Sequence, residues 1–169
     1  MRSRFAPLAG EAIVFRVVRA GGGFLPEGQR LPKPEWLEPT AEDQKDGEAR
    51  GRPPGLSVWD EAVASLDDAC WFRGMERDAG VRSFSIQVAA VLAVAQQHAR
   101  ELAVVCDPES IDQDAARWRT LTEERQQHLV DAAQGHSLIE GLRRPAGGAR
   151  NPHRSLLLAL TEAFKPTGL

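Results

Sequence analysis

Six of the chain's eleven prolines fall between residues 24 and 55: Pro26, Pro32, Pro34, Pro39, Pro53 and Pro54. Each fixes its own φ and lacks a backbone donor, so neither a long helix nor a central strand can run through all of them. A charged run from Glu42 to Arg52 lies between them. Together they predict an extended connecting loop over residues 24–55, with Leu25, Leu31, Trp36 and Leu37 pinning its first half to the body. The chain is thereby divided. Residues 1–23 form an N-terminal strand region, and residues 56–169 supply the body of a single domain, a size that can bury a substantial core.

The body alternates between two periodicities. Residues 12–19 (AIVFRVVR) are short and β-branched, and the Gly21-Gly-Gly23 run that follows ends them, so they read as a strand. Residues 55–59 (GLSVW) read as a second. Ser65 opens a helix whose first turn carries Asp67 and Asp68, and Gly80 closes it. Residues 81–88 alternate as a strand. From Val88 onward Val91, Leu92, Ala95, Ala99 and Leu102 recur at helical spacing. Leu102–Cys106 is a short buried strand stopped by Asp107-Pro108. Residues 109–133 are polar and helical in one or two pieces, with Trp118, Leu121, Leu129 and Val130 inward and Gly135 as the stop. Residues 136–140 (HSLIE) form another strand. Asn151-Pro152 starts a last helix with Leu156, Leu157, Leu160 and Phe164 on one face. This order predicts an α+β fold: a small mixed β-sheet packed with about four helices.

Composition narrows the function classes. A net charge of −3 gives no general attraction to nucleic acid or to an anionic membrane. The longest apolar run, residues 88–95, is too short to span a bilayer, and the N-terminal residues do not have the pattern of a signal peptide. Cys70 and Cys106 are the only cysteines and belong to no paired motif, so they read as packed, reduced thiols in a cytoplasmic protein.

No strong catalytic motif is present. Gly21-Gly-Gly23 follows a strand but precedes prolines, so its amides are not aimed as a phosphate cradle. His98 lies at the edge of an apolar helix face and His128 on a polar helix. The spacing of His128, His136, His153 and Cys106 does not support convergence on zinc, so no metal is expected. His136 follows a glycine at a strand start, where a side chain can point into a cleft. The C-terminal region carries Arg143, Arg144, Arg150, His153, Arg154 and Lys165. It reads either as a solvated loop or as a weak patch for phosphate.

One constellation has an order of residues that resembles a known class. An arginine on an early strand (Arg16 or Arg19), a serine on the next (Ser57) and a later glutamate (Glu140) follow each other as in the ADP-ribosyltransferases. The resemblance implies an arginine holding the phosphates of a nicotinamide dinucleotide, NAD, a serine ordering the pocket and a glutamate binding a ribose hydroxyl. The aromatic residues expected of such a pocket are few, since the chain has no tyrosine. The opposing reading places the two arginines on the solvent face of a strand. Separately, GLSVW (55–59), AVVCDP (103–108) and GHSLIEG (135–141) resemble landmarks of short bacterial proteins without an assigned activity, although this chain adds a long polar helix between the last two. That likeness implies a fold and no function.

Two functions follow as expectations. The first is a small cytosolic bacterial interaction module without catalysis or cofactor, whose partner is another protein and whose anchors are Trp36 and Trp59. The second is a nucleotide-handling enzyme of the ADP-ribosyltransferase type that binds NAD through Arg16 or Arg19 (Arg19 foremost), Ser57, His136 and Glu140. They differ in geometry. The enzyme needs these side chains around one concave pocket; the module needs an exposed apolar patch.

Overall fold

A computed structural model describes residues 2–19, 34–78 and 80–167. Six strands and six helices build the expected α+β domain: β1 (Ile13–Arg19), α1 (Ala41–Ala49), β2 (Gly55–Asp60), α2 (Leu66–Phe72), β3 (Val81–Gln87), α3 (Val88–Gln97), β4 (Ala103–Cys106), α4 (Ala116–Arg119), α5 (Glu123–Ala133), β5 (His136–Glu140), α6 (Arg150–Ala163) and β6 (Lys165–Pro166). The strands form one sheet in the order β4-β5-β2-β1-β3-β6. Every strand pair recorded among the described residues is antiparallel, so the sheet contains none of the parallel pairs that a mixed sheet would have.

Alternation along the strands sends side chains to two cores. Val14, Leu56, Val58, Ile86 and Ile139 meet α3 and α6 on one face, with Leu156, Leu157, Leu160 and Phe164 as the helical contribution. Phe15, Val17 and Trp59 meet Ala69, Cys70 and Ala132 from α2 and α5 on the other. Burying each large side chain contributes about 1.5–3 kcal/mol. Both cysteines are buried and unlinked. The outer edge of β4 is covered by the N-terminal segment, where Phe5 N–H donates to Cys106 O, Leu8 N–H to Val104 O, and Cys106 N–H to Ala6 O.

Several local expectations change. Residues 41–49 are a helix within the proline-rich stretch: Pro39 and Pro53 bracket it, and Thr40 and Asp43 form a capping box that supplies its start. A 3-10 turn, Pro34–Leu37, precedes it and buries Leu37. Leu25, Leu31 and the glycine run at 21–23 lie outside the described residues. The helix at Ser65 ends at Phe72 rather than Gly80, because Gly74 takes a positive φ of 63°. The helix after Val88 stops at Gln97, with Ala99 at φ 49°, and it turns Val88, Val91 and Ala95 inward while Leu92 is exposed. Val130 is also exposed, since α5 turns Leu129, Ala132 and Ala133 inward instead. The last helix begins at Arg150, so Asn151 lies inside it and does not cap it.

Asp68 joins α2 to α5. Its carboxylate completes a capping box with Ser65 and also meets Arg125 Nη1 at 2.8 Å and His128 Nε2 at 3.0 Å. Thus His128, on the polar helix and still half exposed, has a carboxylate partner. Burial pushes the Asp68 carboxyl up, but the Ser65 hydroxyl and amide, with His128 and Arg125, outweigh it and hold the group below its ordinary value. A depressed carboxyl stabilises the fold above the unfolded-state pKa, near 4, and loses that contribution as pH falls through the folded value. Urea titrations from pH 7 down to pH 2.5 are expected to show this loss in the native chain. Asp68→Asn should be less stable at pH 7 by roughly 1–3 kcal/mol and show a shallower acid dependence.

Gly141, just past β5, has φ 88°, and a Cβ there would lie 2.3 Å from Glu101 O. Gly141→Ala therefore combines a disfavoured backbone conformation with a collision against main chain. The expected cost is roughly 2–4 kcal/mol, read from the shift of the urea midpoint.

Candidate functional site

The register of β2 on β5 builds the site. Trp59 faces His136 and Ser57 faces Leu138, so Ser57 and His136 project from the same side of the sheet as diagonal neighbours. Ser57 Oγ lies 2.8 Å from His136 Nε2. The other ring nitrogen, Nδ1, lies 2.7 Å from Asp107 O and 3.4 Å from Glu109 Oε2. A main-chain carbonyl can only accept, so Nδ1 carries a proton, and in the neutral ring Nε2 accepts from the Ser57 hydroxyl. This is the polarity that a hydroxyl needs if its proton is to be withdrawn.

The pair lies at the junction of two lobes. The larger, of about 400 Å³, extends between α1 and the turn after β4, past Asp46, Arg50, Asp107 and Glu109. The smaller, of about 230 Å³, is lined by Trp59, Phe72, Arg73 and Glu109. Ser57, Glu109 and His136 belong to both. Trp59 and Phe72 are stacked at 5.1 Å between centroids, and His136 approaches the indole edge at 5.0 Å. The aromatic surface missing from the tyrosine count is therefore present, made of tryptophan, phenylalanine and histidine. The Trp59 indole N–H is buried without an acceptor among the described residues.

Arg16 lies beneath Ser57. β1 pairs with β2 only at Val14↔Asp60 and Phe15↔Trp59, although it continues along β3 to Arg19↔Val81. Where the β1–β2 pairing stops, Arg16 Nη1 donates to Ser57 O at 2.9 Å, which supplies a hydrogen bond where the ladder has ended. Its Nε is buried with no acceptor among the described residues. Desolvation, followed by repulsion from Arg73, lowers the guanidinium to about 10, with Asp43 acting in the opposite direction. At neutral pH the charge remains, so a fixed cation underlies the serine.

The predicted residues separate into those that converge and those that do not. Ser57 and His136 meet at the centre of the cleft. Arg16 braces Ser57 from the sheet. Arg19 does not take part: it is exposed at the end of β1, with Nη1 bonded to Asp78 at 2.8 Å. Glu140 is buried and held by Arg52 through Nε at 3.1 Å and Nη2 at 2.5 Å, outside both lobes. Trp59 is only 2% exposed, which removes it as a surface anchor, and Trp36 is half-buried.

Glu109, Arg73 and Phe72 were not anticipated. The one sequence signal was Asp107-Pro108 ending β4 beside the start of β5, which brings the following glutamate to His136. Among the described residues no group of three or more His, Cys, Asp or Glu side chains is placed to hold a metal ion, and no helix is long and apolar enough to cross a membrane. No family model, curated protein or solved structure matches the chain.

The tautomer is directly testable. Long-range ¹H–¹⁵N spectra at pH 8 are expected to show the His136 proton on Nδ1. Ser57→Ala should leave that assignment intact, because Asp107 O dictates it; a proton found on Nε2 contradicts the geometry described.

Proposed function

We propose that the chain is a nucleotide-handling enzyme of the ADP-ribosyltransferase type that binds NAD in the Ser57–His136 cleft. The observation that carries this reading is the convergence of a polarised serine, a carboxylate and a stacked aromatic pair on one concave site, over a part-buried arginine. The assignment of roles selects between the two arginines of the sequence expectation and replaces its glutamate. Arg16, rather than Arg19, is the arginine behind the serine strand. Glu109, rather than Glu140, is the carboxylate facing the ligand, since Glu140 is already engaged by Arg52.

The chemistry follows from the lining. Phe72, half-buried in the smaller lobe and backed by the buried Trp59 indole stacked on it, offers an aromatic surface to the nicotinamide ring. Arg73, exposed at the rim of the smaller lobe, is available to a phosphate. Breaking the ribose C1′–N bond leaves its electron pair on the nicotinamide nitrogen and produces an oxocarbenium-like ribosyl centre. Glu109 stabilises that positive charge. An acceptor oxygen, from water or from an acceptor hydroxyl, then forms the new bond to C1′ and gives up its proton to the Glu109 carboxylate, from which it passes to solvent.

The interaction-module reading has less support. Trp59 is buried, and the exposed large apolar side chains among the described residues, Ile13, Leu92, Val130 and Leu158, come from four different elements.

Thermal unfolding with NAD tests the proposal. Ligand at a hundred times its dissociation constant stabilises by about 2.7 kcal/mol, or roughly 5–10 °C for a chain of this length. His136→Ala and Ser57→Ala are expected to weaken binding about tenfold or more, Glu109→Gln to abolish release of nicotinamide while retaining binding, and Arg19→Ala to change neither. No stabilisation by NAD rejects the proposal and returns the chain to the interaction-module reading. Binding without nicotinamide release, with every acceptor class tried, rejects the transfer chemistry.

A further inference from the structure

A second concavity, distinct from the Ser57–His136 cleft, lies where the 3-10 turn, the segment after β5 and the start of α6 come together. Its volume is about 1050 Å³. Arg143, Arg144, Arg150 and Arg154 line one side of it, and Glu35 and Glu38 line another. Among the described residues none of the four guanidiniums has a carboxylate partner. Elsewhere in the fold arginines are neutralised in place, as Arg4 and Arg50 are by Asp107 and Arg52 is by Glu140. Four cations without ion-pair partners outnumber the two carboxylates of this cavity, and an anion relieves their mutual repulsion.

The walls of this cavity are braced. Arg100 Nη2 donates to Gly141 O at 2.7 Å and to Arg143 O at 2.9 Å, which fixes the main chain that carries Arg143 and Arg144. His153 is buried: its Nε2 meets Glu38 Oε1 at 3.0 Å, and Arg100 Nη1 reaches its Nδ1 at 3.4 Å. One imidazole therefore connects the 3-10 turn to α6 and to the arginine that supports the basic segment. In addition, Ala149 gives α6 no side-chain cap, so the first amides of this helix add partial positive charge on the arginine side.

From these observations we infer that this cavity is a binding site for a small oligophosphate ligand, of the nucleoside di- or triphosphate class. The arginines suit adjacent phosphates, which guanidinium groups bind with paired donors. Glu35, on the opposing side, can accept from a ribose hydroxyl or a base amine. The chain's overall charge of −3, with two glutamates on the same concavity, favours a compact ligand over a nucleic-acid backbone. The site does not depend on the function proposed for the other cleft, since the two cavities have no lining residue in common.

Isothermal titration of the full chain with inorganic tripolyphosphate, and then with ATP, provides the test. Tripolyphosphate is expected to bind with one-to-one stoichiometry and to weaken as salt rises. Arg144→Glu and Arg154→Glu, both exposed and away from the core, should each weaken it at least tenfold while leaving the apo melting temperature unchanged. Ser57→Ala and His136→Ala should leave it intact, and ATP should bind more tightly than tripolyphosphate because it also reaches Glu35. Absence of binding, binding insensitive to both arginine variants, or binding lost in the Ser57 and His136 variants overturns the inference. A single-stranded oligonucleotide that binds more tightly than ATP through the same arginines also overturns it, in favour of nucleic acid.

Discussion

The antiparallel register of β2 on β5 is the constraint on which the site rests. Gly55↔Glu140, Ser57↔Leu138 and Trp59↔His136 lie on one face, while Leu56↔Ile139 belongs to the core beneath α3 and α6. A one-residue slip would exchange these faces, burying Ser57 in the apolar layer and exposing Leu56. Gly55 belongs to the same device. A Cβ there would come within 2.7 Å of the Leu138 Cβ, so the close approach of the two strands at that end requires glycine.

Around this register, polar groups are used in two ways. Some are fully committed to structure: Asp107 takes Arg4 and Arg50, Glu140 takes Arg52, and Asp68 takes Ser65, Arg125 and His128. These buried carboxylates are matched, as burial of charge demands. Others are left with capacity: Arg16 Nε, the Trp59 indole N–H, and the guanidiniums beside α6. The contrast is what gives the two cavities chemical content. A buried donor without an acceptor, such as Arg16 Nε or the Trp59 indole N–H, costs free energy, whereas the exposed guanidiniums beside α6 are hydrated and carry capacity only as unpaired charge.

The partial separation of β1 from β2 has the same logic. Continuing the ladder would satisfy the Ser57 carbonyl with main chain. Ending it after Phe15↔Trp59 lets a guanidinium do so instead, and thereby places charge under a strand that carries the serine. The gain is a fixed electrostatic field at the site, and the cost is desolvation of Arg16, visible in its lowering to about 10.

Much of the fold was legible in local patterns. The strands at 12–19, 55–59, 81–88, 102–106 and 136–140 appear as β1 to β5 within a residue or two, and the Ser65 cap and the leucine face of α6 are present. These are short-range properties: alternation, capping and helical spacing act between residues a few positions apart. The proline-rich stretch misled because prolines bound a nine-residue helix as readily as they break one. Of the site, Ser57 and His136 were visible as candidates, but Arg16 and Arg19 have equivalent sequence surroundings. What distinguishes them is the end of the β1–β2 ladder, which is a relation between strands 41 residues apart or more. Glu109 and Glu140 were likewise separated only in space: Arg52 engages Glu140, whereas Glu109 lies beside His136. The sequence by itself determined the elements and their buried faces, because hydrophobic periodicity is local. The tertiary structure alone decided which charges cancel and which remain, because electrostatic pairing depends on distance in space and on burial, and neither is written along the chain.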